Sequence, residues 1–241
     1  MTSEQIRRSL DEDLRYITTQ IAAMGGHAER MVEQSVEALT VGDEALARRV
    51  IENDAVLDGL EREIGEKAVA VLARRQPMAS DLREVVGALR ISGDLERIGD
   101  LGKNIAKRSI IIGEVARLRR FFLGFAALSD LAMEQLKAVL DGYAAQSVDR
   151  IASVRDRDWE IDAKYTSLFR EMLAFMMVDP GNITPCTHLI FCAKNIERVG
   201  DHATNIAETV YHIMTGEQLP VDRPKEDRSH AIGRPHPRAP V

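Results

Sequence analysis

The sequence predicts an all-α fold of two tandem three-helix bundles with long antiparallel helices, and three observations carry that prediction. Apolar residues recur at spacings of three and four almost throughout, with no sustained alternation of period two. Turn formers are scarce: 16 Gly, 8 Pro and 5% aromatics among 241 residues suit long helices better than a β-rich fold. Most informative, the chain repeats itself, as the third observation below shows.

The first helix runs from about Ser3 to Val41, with Gly25-Gly26 as a weak point, and Gly42-Asp43 supplies a stop followed by an N-cap. A second helix reaches about Arg75 and ends at Gln76-Pro77; Ser80-Asp81 then caps a third that Gly113 breaks after Ile112. The fourth starts near Val115 and ends near Gln146. Ser147 caps a fifth that ends at Met177, ahead of Asp179-Pro180-Gly181-Asn182. Thr184-Pro185 suits the first turn of a sixth, because proline at the first helical position gives up no needed N–H; that helix ends at Thr215-Gly216. Residues 217–241, with five prolines among Arg, Asp and His, cannot bury enough to fold and are expected to be a disordered tail.

The repeat aligns Asp94-Leu-Glu-Arg-Ile-Gly-Asp-Leu-Gly-Lys-Asn-Ile-Ala106 with Asn195-Ile-Glu-Arg-Val-Gly-Asp-His-Ala-Thr-Asn-Ile-Ala207. The stripe Ala88, Ile91, Leu95, Ile98, Gly102, Ile105 maps onto Leu189, Cys192, Ile196, Val199, Ala203, Ile206. Val50, Asp54, Leu57, Ile64, Val71 on the second helix likewise match Val154, Asp158, Ile161, Leu168, Phe175 on the fifth. Residues 1–113 and 114–216 are therefore two copies of one three-helix unit.

Composition narrows the function. With 32 Lys and Arg against 38 Asp and Glu the formal charge is −6, which argues against broad phosphate-backbone contacts, so no nucleic-acid partner is expected. Two cysteines make no disulfide framework, nothing at the start resembles a signal peptide, and the longest apolar run, Phe121 to Leu128, is too short for a transmembrane span; a cytoplasmic protein is expected.

Four carboxylate pairs stand at i,i+4, two in each copy: Asp54 with Asp58, Glu96 with Asp100, Asp158 with Asp162, and Glu197 with Asp201. Like charges at this spacing cost an isolated helix about 0.2–0.5 kcal/mol per pair, so their recurrence calls for an offsetting cation. Asp54 and Asp158 fall on the apolar stripe itself, where an ionised carboxylate is expensive unless paired or coordinated. A metal ion is the natural candidate, and all-oxygen donors suit Mg²⁺, Mn²⁺, Ca²⁺ or iron rather than a thiolate-type zinc site. The alternative is simple ion pairing with Arg97 and Arg198, three residues before Asp100 and Asp201. Gly99 and Gly200, at matching mid-helix positions, point to close backbone approach by a neighbouring helix.

Cys186, His188 and Cys192 fit a core role better than a zinc site. Glu-x-x-His is absent, as are a Gly-rich phosphate loop and a Ser/His/Asp grouping. Arg117-Leu-Arg-Arg-Phe-Phe-Leu-Gly-Phe125, at the junction of the copies, reads as a core edge with a solvated flank, the alternative being a membrane or partner contact.

The doubled Glu-Arg-x-Gly-Asp, in Leu95–Ile105 and Ile196–Ile206, resembles the PhoU family of phosphate-signalling proteins over Ser3 to Thr215. The first copy has Leu101-Gly102 where the second has His202-Ala203, the more usual pair in that family. The resemblance implies two three-helix bundles side by side. It implies that divalent or trivalent ions (Mg, Mn, Fe or Zn), single or multinuclear, are held by the motifs matched here by Asp54 to Asp58, Glu96 to Asp100, Asp158 to Asp162 and Glu197 to Asp201. It further implies a non-enzymatic negative regulator of phosphate uptake and phosphate-starvation signalling. Its partners would be the ATPase subunit of a phosphate ABC transporter and a membrane sensor histidine kinase, and a homodimer is the expected assembly. The competing classes are a metal-dependent helical-bundle hydrolase or oxidase and a purely structural scaffold.

Overall fold

The computed structural model describes residues 3–113 and 116–219, and among them every regular element is helical. The helices are α1 (Ser3–Val41), α2 (Glu44–Arg75), α3 (Ser80–Ile112), α4 (Phe122–Ala145), α5 (Val148–Asp156), α6 (Asp158–Val178) and α7 (Ile183–Thr215). Short 3₁₀ helices occupy Ala116–Phe121 and Pro180–Asn182. The expectation of a disordered tail lies, from residue 220 on, outside the described residues.

Local signals explain most boundaries. Asp43 caps α2 by accepting a hydrogen bond from the Leu46 N–H at 2.9 Å. Gly113, at φ 58°, ends α3 in a backbone conformation that side chains resist. Gly25-Gly26 does not interrupt α1. The expected Ser80-Asp81 cap is not made: Ala79 precedes α3 without a side-chain cap, and Asp81 instead takes the Arg7 guanidinium at 2.9 Å. The fourth helix begins at Phe122 rather than near Val115, because Ala116–Phe121 winds as 3₁₀. The fifth is broken at Arg157 into α5 and α6.

In the first half α1, α2 and α3 pack mutually; in the second, α4, α5 and α6 pack on α7. The repeated stripes are the core, and every position of both from Ala88 to Ile105 and from Leu189 to Ile206 is buried. The halves meet where α3 lies against α7 and α1 against α4. That seam is antiparallel. Gly87 lies against Ile213, Asp94 bonds His202 at 2.8 Å, and Arg108 meets His188 at 3.2 Å.

The paired glycines pack against side chains, not against a neighbouring backbone as expected. A Cβ on Gly99 would stand 2.1 Å from Leu57 Cδ2, and one on Gly200 2.7 Å from Ile161 Cδ1, the repeat equivalent of Leu57. The close backbone approach occurs instead at Gly102, whose Cβ would lie 3.2 Å from the main chain of Met31 and Val32 on α1. The first copy therefore carries glycine where the second carries Ala203. Gly99→Ala is expected to cost about 1–2 kcal/mol, the Leu57 clash outweighing alanine's helix preference. Gly93→Ala, with nothing within 4 Å of its Cβ, is expected to stabilise by about 0.5–1 kcal/mol. Urea denaturation of the two variants should give opposite signs.

Candidate functional site

Helix α2 carries Asp54 and Asp58 on successive turns, and α3 carries Glu96 and Asp100; α6 and α7 repeat this with Asp158, Asp162, Glu197 and Asp201. The placements differ in burial. Asp54, Asp158, Asp162 and Glu197 are buried, Glu96, Asp100 and Asp201 are half-buried, and Asp58 is exposed.

In the first patch a cation is already built in. The Lys103 ammonium bonds the Asp54 carboxylate and reaches Asp100 Oδ1 at 3.2 Å, tying α2 to α3. The hydrogen bond to Asp54 holds the Lys103 ammonium above its ordinary pKa. Arg97 adds contacts of 3.5 Å to Glu96 and 3.6 Å to Asp100 from an exposed position. Glu96 titrates above the usual carboxylate range, first because of burial and then because Asp100 stands beside it.

The second patch is made differently, because Thr204 stands where the first copy has Lys103. The Thr204 hydroxyl donates to Asp158 Oδ1 at 3.0 Å, and Gln135 Nε2 donates to Thr204 at 3.0 Å, to Asp158 at 3.5 Å and to the Val154 carbonyl at 3.2 Å. The donors in these contacts are uncharged. Glu197, 5% exposed, accepts from Lys194 at 2.7 Å through Oε1, while its Oε2 is buried with no hydrogen-bond partner. Burial pushes the Glu197 carboxyl up to about 7, with Asp201 and Asp162 adding to the rise against the pull of Lys194.

The structure thus brings Asp54 and Asp100 together through Lys103, and places Glu197 within the fields of Asp162 and Asp201. Among the described residues no group of three or more His, Cys, Asp or Glu is gathered tightly enough to hold a metal ion. A buried carboxylate oxygen without a donor suits a hard cation in the second patch; in the first, a cation must displace Lys103. Sequence reasoning took the change of Lys103 to Thr204 between the copies as a point against ion pairing, which the Lys103–Asp54 contact corrects for the first copy, and missed Gln135 and Lys194 as partners of these acids. Lys103 and Lys194 lie three residues from Asp100 and Glu197, a spacing that helical pairing favours; Gln135, on α4, left no local signal.

Cys186 and Cys192 are buried, free thiols, and burial pushes Cys192 up to about 12, as fits core residues. Among the described residues no helix is long and apolar enough to cross a membrane.

Comparison with known proteins places these features in a family. The PhoU domain model matches twice, over residues 21–109 and 125–210. A protein of Rhizobium meliloti strain 1021 named phosphate-specific transport system accessory protein PhoU homolog is 57% identical over 233 residues, covering 97% of this chain and 98% of that protein. A protein of the same name from Caulobacter vibrioides is 44% identical over 225 residues, covering 93% and 98%. The crystal structure of PhoU from Pseudomonas aeruginosa superposes with a TM-score of 0.82 at 35% identity, over 86% of this chain and 99% of that one. A phosphate transport system regulatory protein PhoU from Streptococcus pneumoniae shares the fold, with a TM-score of 0.80 at 24% identity over 88% and 100%. With the duplicated motif, the paired bundles and near full-length identity in agreement, the chain belongs to the PhoU family.

Proposed function

We propose that this chain is a non-enzymatic negative regulator of phosphate uptake and phosphate-starvation signalling. It acts in the cytoplasm, as a homodimer, between the ATPase subunit of a phosphate ABC transporter and a sensor histidine kinase. The observation that carries this reading is the 57% identity, across 97% of the chain, to a protein named as an accessory of phosphate-specific transport. Deleting the gene is expected to derepress phosphate-starvation genes at high phosphate, measured by a reporter in the host. Repression that stays normal would overturn the assignment.

The carboxylate patches give the regulator a metal-dependent element. In the second half Asp158, Asp162, Glu197 and Asp201 would hold a hard cation, such as Mg²⁺, Mn²⁺ or iron, which supplies positive charge to acids that otherwise repel. In the first half Asp54, Asp58, Glu96 and Asp100 would take one only by displacing Lys103. The second patch would fill first because Glu197 Oε2 is buried there without a partner, although Lys194 already bonds Oε1. Melting curves with chelator and with Mn²⁺ test this, since a ligand at a hundredfold excess over its Kd stabilises by about 2.7 kcal/mol. Wild type and Asp100→Asn are expected to gain from Mn²⁺, and Asp201→Asn to lose most of that gain. A wild type that melts identically in both conditions, and is metal-free by elemental analysis, would remove the ligand role from all eight acids and favour a plain helical scaffold.

A further inference from the structure

The end of the molecule where α3 stops and α7 starts carries apolar surface that core packing does not account for. The antiparallel seam, together with Arg117 bonding the Gly181 carbonyl at 2.9 Å, gathers there the last turns of α1, α3 and α6 and the first turns of α4 and α7. Val41, Ile111, Leu123, Met177 and Val178 stand on these turns with exposures between 64% and 88%. Among the described residues only Val69 and Met78, of the other large hydrophobics, exceed 60%.

The chemistry around them is mixed, with exposed acids at Glu37, Glu44 and Asp179, but Asp179 is paired with Arg117 at 4.0 Å and Glu44 with Arg48, which leaves further cations over although the whole chain carries −6. Arg119 and Arg120 are exposed on the 3₁₀ helix beside Leu123, and Lys107 is exposed near the end of α3. Arg120 stacks over the Phe121 and Phe175 rings at 5.6 and 5.1 Å, which anchors its guanidinium at this rim. Phe121 and Phe125 themselves are buried, so the aromatic part of the junction segment is core while its arginines and Leu123 face outward.

Side chains exposed by more than four-fifths, as Leu123, Met177 and Val178 are, protrude. A partner helix is received by a concave groove, whereas protruding apolar groups ringed by cations enter a soft, negatively charged phase. We propose that this end docks on an anionic membrane surface, with Leu123, Met177 and Val178 entering the headgroup boundary and Arg119 and Arg120 meeting lipid phosphates. The long helices then stand away from the bilayer, and the carboxylate patches remain in water. A second copy is disfavoured as the occupant because two basic ends would face each other.

Flotation of the full chain with vesicles tests the proposal, using phosphatidylcholine alone and phosphatidylcholine with about one-third phosphatidylglycerol. The chain is expected to float with the anionic vesicles only, and less so as salt rises. R119Q/R120Q is expected to lower the partition about 25-fold, at about fivefold per arginine near an anionic surface, and M177S/V178S about tenfold. M78S, at the opposite end, should bind as wild type does; M177S/V178S and M78S should melt as wild type does because those side chains are exposed, and R119Q/R120Q slightly lower because Arg120 leaves the Phe121 and Phe175 rings. Equal flotation with neutral vesicles, no flotation with either, or an M78S effect as large as that of M177S/V178S would overturn the proposal. So would a dimer that M177S/V178S converts to a monomer, since that result assigns the surface to a second copy.

Discussion

Lys103→Met is expected to destabilise the metal-free protein by about 2–3 kcal/mol at pH 7. Breaking a fully buried ion pair costs about 3–5 kcal/mol; the Lys103 side chain keeps 24% of its exposure and that of Asp54 keeps 11%, so the loss falls somewhat below that range. For a chain of this size the melting temperature should drop by roughly 5–10 °C. The cost arises from the Asp54 carboxylate left in an apolar stripe, so Asp54→Asn in the Lys103→Met background should recover much of it. The sign for the lysine itself agrees: its folded pKa lies above the unfolded one, so its contribution is complete at pH 7 and is lost only as pH rises past its raised value. Removing the ammonium also opens the first patch to a metal, and Mn²⁺ should rescue Lys103→Met by more than it stabilises wild type. A Lys103→Met variant as stable as wild type would show that the lysine does not offset these acids.

Glu197→Gln is expected to act in the opposite direction. The folded-state pKa of Glu197, about 7, lies above its unfolded value near 4.5, so the native protein binds the extra proton in between. Stability therefore falls as pH rises from about 4.5 to about 7 and stays at the lower level above. The full shift corresponds to about 3 kcal/mol. Glutamine introduces an N–H where Oε2 now lacks a partner, so the net gain should be about 1–2 kcal/mol at pH 8 in chelator, and near zero below pH 4.5. With Mn²⁺ present the order should reverse, because the variant loses a ligand. Urea denaturation across pH 4–8, with and without metal, separates these outcomes; parallel wild-type and variant profiles would remove Glu197 from any titrating or ligating role.

The helical architecture was legible because spacing, caps and the repeat agreed. The α1, α2 and α3 bounds follow the stops at Gly42, Pro77 and Gly113 closely. The break at Arg157 was not legible, because Asp156-Arg157-Asp158 contains neither Gly nor Pro. The 3₁₀ winding of Ala116–Phe121 was hidden for a similar reason, because Leu118 and Phe121 show the same three-residue spacing in either helix type. The acids of the site were visible because both copies keep them. Their counter-groups were read less well: the different chemistry of Lys103 and Thr204 at one repeat position argued against ion pairing in either copy, and Gln135 comes from α4, outside the two matched helices.

The seam between α3 and α7 bears on how two such unlike patches came to share one molecule. Each half supplies the other with a partner helix, and Asp94 with His202 fills a relation whose repeat-equivalent counterpart is Asn195 with Leu101. In a pair of identical units every substitution arrives twice, so a lysine that neutralises one site neutralises both. A peptide link across the pair lifts that constraint. Fusion of the copies allows the ancestry of the fold to stay symmetric while its inheritance of charge diverges, and Lys103 opposite Thr204 is the mark of that divergence.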